Sequence, residues 1–275
     1  MYKIIFGNKY DFMKNSFFIV ILLAFISLLQ SSCGIQVYAP TTAQTPLFRE
    51  KGETMASIHL GDGNELDHSF QIQGASAIDS HMAIFGSFYT AKGGFKHSNN
   101  SNTGKGSQLE IGWGYFNTLG NRISFEAYGG AGYGKATNTF QQNYEGEDGT
   151  HQHQSTIQND FVKPFLQGNI GYRSPLFDAV VNMRIGYLII GGLNETPSID
   201  SGYVAIPNED VIKIKSSPNS VLLEPGITFR AGYEPFKIQI HLGLSFNSNG
   251  DHYPQERFVS SIGFVGMLNS STKRK

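Results

Sequence analysis

The 275-residue chain carries 32 Gly, 21 Phe and 13 Tyr, and only 16% of its residues are charged, a balance that suits strands and glycine-punctuated turns. Its formal net charge of -1 offers no basic field to attract nucleic acid or acidic lipid. After residue 40 no window shows convincing i, i+3, i+4, i+7 apolar spacing, which weighs against the α/β folds of many soluble enzymes.

At the amino terminus, Met13-Lys14-Asn15 precede an apolar run from Phe17 to Leu29, the length of a secretory h-region and too short to span a bilayer. The run ends in LLQSSCG, Leu28 to Gly34, and Cys33 is the only cysteine in the chain. This resembles a bacterial lipoprotein signal, in which small residues lead into a cysteine that is acylated after cleavage. Gln30 stands where the usual pattern has an aliphatic residue, with Leu29 one position further back; Ser31-Ser32-Cys33-Gly34 is nevertheless similar to lipoproteins of Bacteroidota. The competing reading is an unlipidated signal peptide with an incidental cysteine. The organisation that follows is a signal peptide over residues 1–32, with Met13 as an alternative start, and a lipidated linker over 33–52. Gly34 opens that linker without an acidic cluster, so the resemblance implies an anchor through Cys33 in the periplasmic leaflet. The linker sequence IQVYAPTTAQTPLFR, Ile35 to Arg49, reads as extended, with two prolines.

From about Glu53 the pattern becomes alternation. Its clearest copy is Phe236 to Phe246, where Phe236, Ile238, Ile240, Leu242, Leu244 and Phe246 share one face and Lys237, Gln239, His241, Gly243 and Ser245 the other. Gln108–Phe116, Ala179–Ile189 and Val221–Ala231 repeat it. Weaker copies are Thr54–Leu60, Ser69–Ala77, Met82–Ala91, Arg122–Lys135, Phe161–Tyr172 and Arg257–Leu268. Most have roughly the 9–11 residues of a tilted membrane strand. Short turns at Ile78–His81, Asn117–Asn121, Ser174–Phe177 and Gly232–Pro235 alternate with longer loops at Lys92–Gly106, Asn138–Asn159, Gly192–Asn219 and Asn247–Glu256. Gly61–Leu66 is the shortest of the loop set. Short periplasmic turns and long outer loops are the signature of an all-β, up-and-down antiparallel β-barrel of about ten strands, with eight or twelve as alternatives. The barrel spans 53–269, and a basic tail follows at 270–275.

Alternation alone does not say which face meets the core, since a soluble barrel turns its apolar face inward and a membrane barrel turns it outward. The polar face here carries Gly, Ser, Gln and isolated charges of both signs: Glu110, Arg122, Glu126, Lys163, Arg184, Glu224, Arg230 and Lys237. Mutual pairing of such groups suits a narrow lumen, because an unpaired buried charge is strongly unfavourable. Tyr89, Tyr115, Tyr133, Tyr172, Tyr187 and Phe246 near strand ends read as interfacial girdles. Both features favour the membrane barrel. Glu110, Arg122, Glu126, Arg184, Glu224 and Arg230 are expected to form a structural network that largely plugs the lumen.

Over most of its length the chain resembles small outer-membrane β-barrel lipoproteins of Bacteroidota. The resemblance rests on YAPTTAQTPLF (Tyr38–Phe48), EIGWGY (Glu110–Tyr115), RISFEAYGGAGYG (Arg122–Gly134), NIGY (Asn169–Tyr172) and LEPGITFRAGY (Leu223–Tyr233). It implies a location and a fold, with outer-membrane lipid as the partner, and no reaction.

Sites for chemistry are weak. His151 and His153, near Glu145, Glu147 and Asp148, have metal-ligand chemistry, but one spacer on a loop is more often a solvated pair. EGEDG lacks the spacing of a calcium loop. Lys92, Lys96 and Lys105 could touch lipopolysaccharide phosphates or lie in an ordinary loop. His241 with Ser245 offers half of a hydrolase triad, for which a third group is needed. GGAGYGKAT, Gly129 to Thr137, approaches a phosphate loop, yet a half-polar strand precedes it, no helical stripe follows, and Ala136 replaces the magnesium hydroxyl. Its glycines read better as space for lumen neighbours such as Tyr128. No catalytic residue, metal, cofactor, nucleotide or nucleic acid is expected. The reading is an outer-membrane barrel lipoprotein with a structural or surface-interaction role. Its alternatives are a barrel for a small apolar ligand or lipid and an outer-membrane lipid hydrolase.

Overall fold

The computed structural model describes residues 37–62, 68–97, 100–146, 149–198, 209–250 and 253–269. Its strands are β1 (Glu53–Asp62), β2 (His68–Ala77), β3 (Met82–His97), β4 (Asn100–Leu119), β5 (Ile123–Gly146), β6 (Gly149–Arg173) and β7 (Phe177–Ile190). After these come β8 (Asn194–Ser198), the helix α1 (Glu209–Ser216), β9 (Asn219–Tyr233), β10 (Phe236–Leu244), β11 (Phe246–Asn247) and β12 (Phe258–Asn269). Each long strand pairs antiparallel with the next, and β1 pairs β12 from Glu53↔Asn269 to Asp62↔Ser260, which closes ten strands into a ring. Among the described residues, closure leaves the ring itself no long edge on which another chain could add.

The period-2 pattern sets the walls. Along β10 and β7, burial alternates residue by residue, with Ile238, Ile240, Val181 and Ile185 outside and Lys237, Gln239, Asn182 and Arg184 inside. Leu166 is 70% and Phe264 74% exposed, within an apolar belt that runs round every strand. A belt of that extent is far larger than the patches a soluble monomer tolerates, and it matches the lipid-facing band of a membrane-spanning barrel. A water-soluble carrier would need Ile238, Ile240 and Leu242 inside, and they point out.

At one end, the ring turns tightly between β2 and β3, β4 and β5, β6 and β7, and β9 and β10, and both the start of β1 and the end of β12 lie there. At the other end, two expected loops are strand. β3 and β4 stay paired to His97↔Asn100, and β5 and β6 to Gly146↔Gly149, so residues 92–97 with 100–106 and 138–146 with 149–159 are paired strands that rise beyond the apolar belt. Their described outward residues, such as Lys92, Thr103, Lys105, Gln154 and Gln158, are polar, so no half-apolar alternation marks them as strand. The 192–219 loop also carries structure, since β8 adds to β6 and α1 seats Val211 and Ile214 against the barrel mouth. Ser245 interrupts the expected strand Phe236–Phe246, with β11 continuing the pairing to β9.

Candidate functional site in the occupied lumen

The segment expected to be a linker is the lumen's filling. Residues 37–48 are almost wholly buried and run as an extended strap through the ring. At the hairpin end, Val37 donates its amide to the Pro254 carbonyl at 3.0 Å and accepts from Asn159 Nδ2 at 3.1 Å. At the turn end, Phe48 N–H donates to Glu126 Oε1 at 3.0 Å, and Arg173 donates to the Leu47 carbonyl at 3.2 Å. Gly52 then bonds Ala77 at the rim and the chain enters β1. The Tyr38 carbonyl accepts from Glu256 N–H at 2.9 Å, and further along the strap lumen side chains satisfy much of the backbone. Gln71 and Gln73 donate to Thr42 O, Gln167 and Asn169 donate to Gln44 O, and Arg230 donates to both oxygens of Thr45.

Three layers surround the strap. Toward the turn end, Phe48 packs among Met55, Phe85, Phe116, Tyr128, Phe165, Val265 and Met267, with Phe48 and Phe116 edge to face at 5.7 Å. At the hairpin end, Val37 and Tyr38 join Ile157, Phe161, Leu188, Ile190, Val211, Ile214, Leu222 and Tyr253. Burial pushes the Tyr253 phenol up to about 12. Between these apolar ends sits the charged layer. Two apolar clusters inside the ring depart from the uniformly polar lumen the alternation suggests, because the strap supplies an apolar residue at each end for them to pack on.

The charged layer centres on Glu110, which accepts from Arg184 Nη1 at 3.1 Å and pairs with Lys163 Nζ at 3.0 Å. Lys163 also donates to Tyr38 OH at 2.6 Å, and Tyr38 OH donates to Glu224 Oε1 at 2.5 Å. Thr41 Oγ1 donates to Glu110 and accepts from Arg184, whose guanidinium lies 4.6 Å over the Phe165 ring. Outside that layer, toward the turn end, a second set joins Asp178 to Lys237 at 2.6 Å and to Arg230 at 3.8 Å. A third ties Arg173 to Glu53 at 2.9 Å and to Glu234 at 3.1 Å. Shared partners of this kind let fully buried charges persist, since each alone would carry a large desolvation penalty.

The glycines of GGAGYGKAT make this packing fit. Ser87, Glu110, Gly132 and Lys163 share one rung across β3 to β6, as do Phe85, Gly112, Gly130 and Phe165 on the next. A Cβ at Gly132 would sit 3.1 Å from Gln108 Nε2 and 3.3 Å from Glu110 Cγ, so its absence lets Glu110 and Lys163 meet across the intervening strand. On the lower rung, the Phe85 and Phe165 rings stack at 6.2 Å over Gly112 and Gly130. Gly134 lies beneath Phe161 and Gly114 against Tyr128.

Of the six residues expected in the network, Glu110, Glu126, Arg184, Glu224 and Arg230 line the lumen. Arg122 does not. It falls in the β4–β5 turn just before β5 starts, where strand parity no longer applies, and it lies exposed against Tyr172, donating to the phenol at 2.8 Å. Tyr89, expected in a girdle, is buried and faces in with Ala91, whereas Tyr115, Tyr133, Tyr172, Tyr187 and Phe246 are on the outer wall. Lys163, Asp178, Lys237 and Arg173, with Glu53 and Glu234 beside Arg173, complete the charge pairing described above. The first and third were visible on the polar face, while Asp178 and Arg173 sit at strand ends where alternation is weakest.

His241 bonds Thr228 Oγ1 at 2.8 Å, while Ser245 Oγ donates to Glu224 at 3.4 Å and accepts from Gln255. His241 and Ser245, the two halves of a triad that the sequence offers, do not bond each other. His59 and Ser57 do meet at 2.8 Å, but His59 Nδ1 has no partner among the described residues, so no carboxylate orients that ring. No group of three metal-ligating side chains is found among the described residues. The backbone of His151 and His153 lies in β6, and their side chains, with Cys33 and the 270–275 tail, fall outside the described residues.

No family model and no curated protein matches the chain. Among solved structures it is similar to the translocator domain of the autotransporter NalP from Neisseria meningitidis, at 10% identity over 94% of this chain and 96% of that one, with a TM-score of 0.45. It is also similar to a major outer membrane protein from Thermus thermophilus, at 11% identity over 78% of this chain and 99% of that one, TM-score 0.38. LpxR from Salmonella typhimurium aligns at 6% identity over 77% of this chain and 99% of that one, TM-score 0.35. The barrel fold stands on the strand pairing itself, and these superpositions assign no activity.

Proposed function

We propose that the chain is an outer-membrane lipoprotein whose barrel is held shut by its own amino-terminal strap and serves a structural or surface-interaction role without catalysis. The observation that carries this reading is the strap: residues 37–48 occupy the lumen from one end to the other and take up its amides, guanidiniums and carboxylates. A conducting pore needs a continuous water path past its charges, and a pocket for an apolar ligand needs space; the strap runs through the space both would use and leaves a small pocket beside Val37, Tyr38 and Ala39 at the hairpin end. The run ending in Cys33 supports export and lipidation, and the apolar belt supports the bilayer as the barrel's surroundings. Among the described residues His241 bonds Thr228 and His59 bonds Ser57, with no carboxylate on either ring, which favours a role without catalysis over the hydrolase alternative.

The test is conductance. The full chain reconstituted in planar bilayers is expected to stay closed, and a variant lacking residues 37–46 is expected to give ohmic steps. Sustained ohmic current through the intact, folded chain sinks the closed-barrel reading. Labelled palmitate should enter the wild type and not Cys33→Ala.

A further inference from the structure

We infer that the strap is threaded with its amino-terminal end toward the cell exterior, so that an acyl anchor on Cys33 seats in the outer leaflet at the hairpin end and not in the periplasmic leaflet. The anchor part of this rests on the lipoprotein reading; the direction of threading does not. An even-stranded ring puts the start of β1 and the end of β12 at the turn end, and a simple linker would place Cys33 there too. The strap reverses that.

Its contacts descend one strand in order. Val37 meets Asn159, Tyr38 meets Lys163, Gln44 meets Gln167 and then Asn169, and Leu47 meets Arg173, where β6 ends in the turn. Val37 also bonds Pro254, in the connection between β11 and β12 at the hairpin end. Asn159 lies beyond Val162, the outermost apolar side chain of β6 on the lipid face, and the outward residue between them is Asp160. Val37 is therefore at or above the upper edge of the belt. Short turns face the periplasm and long hairpins the exterior in barrels of this kind.

Four Cα–Cα steps separate Cys33 from Val37, so the cysteine lies within about 15 Å of it however the chain runs. The apolar band of such a barrel is ~25 Å tall, and headgroups lie beyond it. A Cys33 anchor cannot reach the periplasmic interface from Val37, whereas the outer interface is within reach. The ring thus closes round a segment held at both ends: by acyl chains outside and by the chain's own entry into β1 beneath.

An epitope inserted between Gly34 and Ile35 of the full chain, expressed in a diderm host, reads the direction. Antibody should label it equally on intact and permeabilised cells, while the same epitope in the Ser174–Leu176 turn should be seen only after permeabilisation. Labelling of the Gly34–Ile35 epitope only after permeabilisation overturns the inference. Threading in the tagged chain is verified by Thr42→Cys with Ser261→Cys, whose native hydroxyls lie 2.8 Å apart. A disulfide between them should form in the folded barrel, and a folded barrel that stays reduced under oxidant also overturns it. Palmitate labelling of the same tagged protein separates the two claims, because an unlabelled chain with a surface epitope removes the anchor and leaves the threading intact.

Discussion

Outer wall and lumen are built by the same ten strands, residue next to residue, yet they meet opposite solvents. On the wall, Ile238, Ile240 and Leu242 need no partner beyond lipid tails, so position matters only through height in the bilayer. Inside, neighbours such as Lys237 and Gln239 are removed from water, and each needs a specific polar atom at hydrogen-bond distance. The strap supplies many of those atoms. Wall positions are accordingly interchangeable among apolar residues, while lumen positions are tied to particular partners, some of them far away in the chain.

The difference can be broken from either side. Arg184→Met leaves Glu110 with one cation fewer and strips Thr41 and Gln167 of their donor, and it is expected to lower stability by about 3–5 kcal/mol. The measurement is the denaturant midpoint of the heat-modifiable folded band in detergent. A wild-type midpoint would show that the network carries no weight. On the wall, Ile240→Lys puts a charge midway along β10 and is expected to lose about 2–4 kcal/mol in lipid. Ile240→Val in the same titration should lose far less, and equal losses would contradict a lipid-facing position. Tyr38→Phe keeps the ring against Phe161 and removes only the hydroxyl between Lys163 and Glu224. An expected loss of about 1–3 kcal/mol, with more frequent brief openings in bilayer recordings, would mark the hydroxyl as a latch.

The smallest expected effect is a gain. Lys92 and Lys105 are exposed and directly opposed in the β3–β4 hairpin. Like charges facing across a pair of strands are unfavourable, so Lys105→Thr should raise the midpoint by about 0.2–1 kcal/mol in a lipid-free detergent. If added lipopolysaccharide reverses that order, the two lysines hold its phosphates.

Much of this was legible beforehand for a local reason. Alternation with period two is carried by neighbouring residues, so strand positions, turn positions and the lumen placement of Glu110, Glu126, Arg184, Glu224 and Arg230 follow from it. Parity failed where strands end: Arg122 sits one residue before β5 begins, and turn geometry turned it outward. The hairpins beyond the belt failed for another reason, since residues 92–106 and 138–159 are largely polar in sequence and hydrophobic alternation cannot mark them.

The sequence by itself determined a ring of about ten half-apolar strands with short turns at one end, because each strand's two faces are written in adjacent residues. Only the tertiary structure decided what fills the ring. Thr42 finds Gln71 29 residues away and Ser261 219 residues away, and Tyr38 finds Glu224 at a separation of 186. No local pattern encodes such meetings. A Thr-, Gln- and Pro-containing segment reads as a linker until the closed barrel shows that its hydroxyls, amides and bare backbone are what the lumen's buried groups require.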